Sequence, residues 1–351
     1  MLLVDIGQLP SLKKGMSSEE EASKRRKTCR FIEEAGRRLK LPRVAISTAE
    51  VFFHRFYARH AFQEHDRFEV AVAALVLAAK TEEAPKKLNT VLQVCHGLKT
   101  KGQQMGRLSA RPGDAGNSGV GEPSDPPPLD TKGEEFLKLK ERVLLLERII
   151  LHTIGFELSI DHPYRFFVEQ IKKLLQGRKL RYAKDSSSES LDPQAARKKM
   201  FNDLVQYSMS TANDSYQTSL CLQYGPRQIA TACVFLACMF LGIEPENGDW
   251  KTTLFEGSSS SAQGGGPERD HDEDLEALVN ICAQIGDLLS DKKSSERDAV
   301  RKLRAALKHL RNGAGAGAAS GCSRSPLPPS PRPPPPPPPP GASPAKRRKV
   351  A

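Results

Sequence analysis

The sequence predicts an all-α protein built as two tandem domains of about five helices each. Three observations predict it. Apolar residues recur at steps of three and four along most of the chain, and no convincing alternating run marks a strand. Two segments, Phe68–Lys80 (FEVAVAALVLAAK) and Pro226–Leu241 (PRQIATACVFLACMFL), are apolar almost all round, as suits a helix at the centre of a bundle. Amphipathic helical patterns flank each of these segments, so the same plan occurs twice.

Residues 1–17 read as an N-terminal extension with no basic leader and too short an apolar stretch for a secretory signal. The first domain spans 18–160. Ser18-Glu-Glu-Glu21 fits a capping box, and the helix it opens runs to about Lys40, with Phe31, Ile32, Ala35 and Leu39 on one face before Pro42. A second helix carries Ile46, Ala49, Val51, Phe52, Phe53, Phe56 and Tyr57. The apolar third follows at 68–80. Pro85 precedes a fourth at Lys86–Gly97. The fifth, Glu134 to Thr153, repeats Phe136, Leu139, Val143, Leu146, Ile149 and Ile150. Between them, about 99–133, Gly, Ser and Pro replace apolar residues, which reads as a disordered insert.

The second domain spans 161–290. Asp161 reads as the N-cap of a helix to Leu175 with Pro163 in its first turn. Pro193–Tyr216 is the next helix, then the apolar 226–241, then Leu275–Leu289. Polar inserts are expected at about 179–192 and 256–274. Residues 291–310 are charged with sparse leucines and read as a loose helix. Residues 311–351 read as a disordered Pro-rich basic tail: they hold seven basic residues, no acidic one, and 13 of the 26 prolines. Pro333–Pro340 would form a polyproline II rod of about 25 Å, either a stiff spacer or a dock for an SH3 or WW module.

That tail decides how the charge is read. The formal net charge is +11, and most of it lies in the last 41 residues, so the folded part gives little sign of a nucleic-acid surface and no specific DNA binding is expected. No apolar run is long enough for a membrane span. The seven cysteines form no C-x-x-C pair, which argues against a zinc ribbon or a disulfide framework and for reduced thiols. No catalytic constellation, cofactor site or metal site emerges. His271-Asp-Glu-Asp274 reads as a solvated acidic run. His54, His60 and His65, at spacings of six and five, do not share a helix face.

In order along the chain, Arg25–Gly36 (RRKTCRFIEEAG), Phe53–Tyr57 (FHRFY), Leu77–Leu88 (LAAKTEEAPKKL), Leu146–Leu158 (LERIILHTIGFEL), Asp161-His-Pro163, Asn213-Asp-Ser215, Ser219–Tyr224 (SLCLQY) and Ile229–Leu236 resemble the cyclins, and within them the transcriptional types T and K. The resemblance implies two cyclin boxes and a regulatory subunit with no catalysis of its own. Its partner would be a cyclin-dependent kinase of the elongation type, whose substrate is the C-terminal repeat domain of RNA polymerase II. In the family, the third and fifth helices of the first box receive the kinase's C-helix and complete its Lys–Glu pair.

By that resemblance Lys80 and Glu147 contact kinase main chain, and Leu77, Leu151, Phe156 and Leu158 form an apolar seat. On pattern alone, Lys80 is a cation snorkelling at a helix C-terminus, Glu147 an ordinary helix charge, and the apolar residues core. Arg25 matches an Arg that cell-cycle cyclins pair with an Asp; His54 stands at that position, so Arg25 needs a different partner. Lys27-Thr-Cys-Arg30 replaces the apolar patch used for substrate docking, which puts that route in doubt. Lys346, Arg347, Arg348 and Lys349 resemble a nuclear-localisation signal and imply a nuclear protein. Two alternatives stay open: a cyclin L-like partner of a splicing-associated kinase, and a DNA-bound adaptor similar to transcription factor IIB. The second would bring a zinc ribbon and basic core faces.

Overall fold

In the computed structural model the chain is all-α, and residues 4–109, 129–176, 180–182, 193–245, 250–255, 271–290, 301, 303–308 and 310 are described. After a 3₁₀ turn at Ile6–Gln8 the helices are α1 (Pro10–Lys13), α2 (Ser18–Arg38), α3 (Arg43–Phe56), α4 (Arg67–Thr81), α5 (Leu88–Ser109) and α6 (Glu134–Thr153). The second repeat holds α7 (Tyr164–Leu175), α8 (Pro193–Ser215), α9 (Leu220–Gln223), α10 (Pro226–Leu241), α11 (Trp250–Phe255) and α12 (His271–Ser290).

Each repeat is organised by its apolar helix. Every residue of α4 from Val70 to Ala79 is buried, and α2, α3, α5 and α6 pack around it. In the second repeat Ile229, Ala230 and Ala232–Cys238 of α10 are buried among α7, α8 and α12. Asp66 starts α4 by accepting from the backbone N–H groups of Phe68 and Glu69. Gly36 lets α2 and α3 meet, since a Cβ there would lie 2.5 Å from Ile46 Cγ1. Among the described residues no helix is long and apolar enough to cross a membrane.

Several boundaries differ from the sequence reading for local reasons. The cap of α2 is Ser17, which accepts from Glu20 N–H at 3.2 Å; Glu21 is thereby free to pair elsewhere. Asp161 caps nothing: it pairs with Arg165, and Pro163 precedes α7 without a side-chain cap. Helix α5 runs on to Ser109, into the stretch read as an insert. Leu180–Tyr182 and Ile243–Pro245 form a two-stranded antiparallel ribbon, Leu180 opposite Pro245, too short for period-two patterning to reveal.

The first residues are folded in as well. Leu9 is buried, Val4 N–H donates to Leu222 O at 2.8 Å, and Phe62 N–H donates to Ser11 Oγ at 2.9 Å. Leu303 and Leu307 sit in the core of the second repeat. The remainder of the three inserts, residues 291–300 and the whole of 311–351 lie outside the described residues.

A directed chain of hydrogen bonds ties the repeats together. Thr48 donates to Glu82 Oε1 at 2.8 Å, so its oxygen accepts from His162 Nε2 at 2.9 Å. His162 Nδ1 then accepts from the Tyr216 hydroxyl at 2.6 Å. This arrangement needs a neutral imidazole, and burial lowers the His162 pKa to about 4. Beside it, Tyr164 donates to Asn213 Oδ1 at 2.6 Å and receives Arg43 Nε at 3.3 Å. Arg43 also reaches Glu50 at 3.0 Å; burial nevertheless raises the Glu50 pKa to about 8, against the pull of that guanidinium.

Candidate protein-docking site

The C-terminal turn of α4 and the middle of α6 lie side by side, and the two charged residues singled out in the sequence meet there. Lys80 Nζ is 2.6 Å from Glu147 Oε1. The pair is lopsided: the Lys80 side chain is 55% exposed and that of Glu147 10%. The carboxylate is seated in the protein while the ammonium reaches outward, able to turn toward a partner's carbonyls.

The apolar residues divide. Leu77 is core, the floor beneath the site. Leu151 and Leu158 are half-buried and lean on the same core. Phe156 is 60% exposed and adopts φ +59°, directly after Gly155 at φ +64°. The turn arises where α6 ends, with Phe156 N–H donating to Leu151 O at 3.0 Å. A left-handed conformation costs a non-glycine residue about 1–2 kcal/mol. An aromatic ring held in solvent by a strained backbone is the kind of feature that marks a binding site. His152 approaches the Phe156 ring edge-on at 5.3 Å.

Sequence reasoning missed that α6 is apolar on its outer side too. Leu137 is 49%, Leu144 37% and Leu145 52% exposed. The run Leu144-Leu-Leu146 was the available signal, because three consecutive leucines on a helix cannot all face one core.

Arg25 has the different partner that the sequence required. Its Nε donates to Glu21 Oε1 at 2.6 Å, one turn earlier on α2. Its other nitrogens donate to His54 Nδ1 at 3.1 Å and Tyr57 O at 3.0 Å. His54 is fully buried and its Nε2 lies 2.8 Å from Tyr216 O. That contact needs Nε2–H, which leaves Nδ1 as an acceptor for Arg25. Burial, with Arg25 beside it, lowers the His54 pKa to about 3, so the ring is a neutral acceptor that joins α2, α3 and the second repeat. Lys346, Arg347, Arg348 and Lys349 lie outside the described residues.

The family model for the cyclin N-terminal domain matches residues 5–159. The sequence is 31% identical over 242 residues to Cyclin-T1-3 of Oryza sativa subsp. japonica, covering 68% of this chain and 40% of that protein. It is 30% identical over 289 residues to Cyclin-K of Homo sapiens, covering 82% and 40%. The chain belongs to the cyclin family. Its members are regulatory subunits rather than catalysts. Cyclin-T2 of Mus musculus is a further relative, 33% identical over 229 residues, or 65% of this chain and 25% of that protein. This cyclin thus spans 40% or less of the length of these relatives. The fold is similar to a chain in the crystal structure of the yeast RNA Pol II CTD kinase CTDK-1 complex. There the TM-score is 0.55 at 18% identity, covering 93% of this chain and 86% of that one. The match begins at residue 5, inside the stretch 1–17 read from the sequence as an N-terminal extension.

Proposed function

We infer that this cyclin binds and activates a transcriptional cyclin-dependent kinase of the elongation type, in the nucleus, and that the complex phosphorylates the C-terminal repeats of RNA polymerase II. The observation that carries the reading is the α4–α6 face: a seated carboxylate holding an outward lysine, with half-buried Leu151 one turn on along α6 and the outward Phe156 in the turn that ends the helix, hydrogen-bonded back to Leu151 O. The resemblance to types T and K at these motifs supports the choice of partner.

In this reading the kinase's C-helix lies across the face as a helix in a groove, with apolar anchors supplying affinity and the charged pair setting register. Lys80 and Glu147 exchange their mutual contact for kinase main-chain groups near a helix end. Held inward, the C-helix completes the kinase's Lys–Glu pair, the part of phosphoryl transfer that its position controls. Phe156 and the leucines on the outer side of α6 extend the apolar contact.

The test is to co-express the full chain with an elongation-type kinase and assay phosphorylation of a polymerase C-terminal repeat peptide. Strong activation is expected, lost in Glu147→Lys and in Leu151→Asp. A stable complex with no activity on that peptide would overturn the substrate; no complex with any transcriptional kinase would overturn the partner.

A further inference from the structure

The segment between α3 and α4 brings together His60 and His65, which the helix-face reading kept apart, with Glu64 between them. Because α3 ends at Phe56, the chain turns back on itself. One ligand-capable atom from each of His60, Glu64 and His65 then lies within 4.8 Å of the others. His54, which begins the same histidine series, is elsewhere, buried against Arg25.

Hydrogen bonding fixes what these atoms are. Thr153, in the last turn of α6, donates its hydroxyl proton to Ile149 O at 2.7 Å. Its oxygen can therefore only accept from His60 Nε2, 3.0 Å away. The proton of the neutral imidazole is thus on Nε2, and Nδ1 presents a lone pair. That lone pair faces Glu64 Oε2 across 3.9 Å. Lys14 occupies the other oxygen, Oε1, at 2.6 Å, and Ala61 N–H donates to Oε2 at 2.8 Å. Two electron-rich atoms point at the same space, and a ring nitrogen of His65 borders it. Phe56 stacks on His60 with centroids 4.4 Å apart and meets His65 edge-on at 5.3 Å, an apolar wall behind the site.

We propose that His60 Nδ1, Glu64 Oε2 and His65 form a binding site for a divalent cation of the zinc class. Two imidazoles and one carboxylate are a donor set zinc takes, with a fourth position left for water. The hydrogen bond from the far nitrogen of His60 to Thr153 is the outer support that metal-binding histidines show. Tetrahedral zinc places its ligand atoms about 3.3 Å apart at bonds of about 2.0–2.1 Å. From 3.9 Å, His60 Nδ1 and Glu64 Oε2 close by about 0.6 Å through carboxylate rotation, and no pair of donors closes by more than about 1.5 Å. A bound ion would staple the α3–α4 segment to the end of α6 through Thr153, three residues before Phe156. The site does not depend on the kinase reading.

The test uses the full chain, stripped by a chelator and titrated with zinc chloride against a chromophoric competitor. One equivalent should bind, with that equivalent lost in His65→Ala and in Glu64→Gln. Glu64 is exposed and glutamine can still accept from Ala61 N–H, so Glu64→Gln tests the site should His65→Ala fail to fold. Thr153→Val should weaken binding about 10- to 100-fold. Cobalt(II) in place of zinc should show d–d bands without thiolate charge transfer, which separates this site from the cysteines. No binding by the wild type, binding unchanged by Glu64→Gln, or a thiolate band would overturn the proposal.

Discussion

Replacing Arg25 by methionine removes a cation from a place where every group around it was built to meet one. Arg25 is 1% exposed, Glu21 4% and His54 0%. The change leaves Glu21 buried without its 2.6 Å partner and strips donors from His54 Nδ1 and Tyr57 O. Breaking a buried ion pair by removing one side costs about 3–5 kcal/mol. For a domain of this size that is a fall in Tm of roughly 6–20 °C. The double variant Arg25→Met with Glu21→Leu removes the stranded charge and should recover about 1–3 kcal/mol of the loss. Urea unfolding followed by circular dichroism measures both. If Arg25→Met cost under about 1 kcal/mol, or if the two changes simply added, the pair would not be working as a buried unit.

Three further outcomes follow from other contacts. The folded His162 pKa of about 4 lies below the unfolded value of about 6.5, so the unfolded state binds the extra proton between them. The stability His162 contributes is complete above pH ~6.5 and is lost as pH falls to ~4, worth about 3 kcal/mol; the difference between wild type and His162→Gln should shrink across that window. Gly36→Ala should destabilise by about 1–3 kcal/mol through its clash with Ile46, and the same change in an Ile46→Ala background should be neutral or stabilising by thermal melts. Phe156→Gly relieves the left-handed strain at the cost of a more flexible unfolded chain, so its Tm should stay near that of the wild type.

The all-α class and the central position of 68–80 and 226–241 were legible because a helix apolar on every side has only one place to go. Boundaries were less so. Ser17 and Ser18 both head an S-x-x-E pattern, and only the fold shows that Ser17 caps while Glu21 serves Arg25. That i, i+4 spacing was visible, but the capping pattern claimed Glu21 first. The meeting of Lys80 with Glu147 was expected from family resemblance; helix periodicity alone could not pair residues 67 apart. The His60–His65 cluster is invisible to helix periodicity, because the helix stops at Phe56 and the turn that follows, not a shared face, brings the side chains together. The outward leucines of α6 escape the periodicity, because steps of three and four define one buried face and leave the residues between them unassigned.

Kinase docking on the α4–α6 face is the central proposal for this cyclin. The most direct measurement is the affinity of the full chain for an elongation-type kinase, by calorimetry, wild type against Phe156→Gly. That variant leaves the fold near wild type and removes the outward aromatic. An anchor of this kind is worth at least about 2 kcal/mol, so binding should weaken about 30-fold or more. Unchanged affinity, with the complex formed, would contradict it and move the docking surface elsewhere on the cyclin.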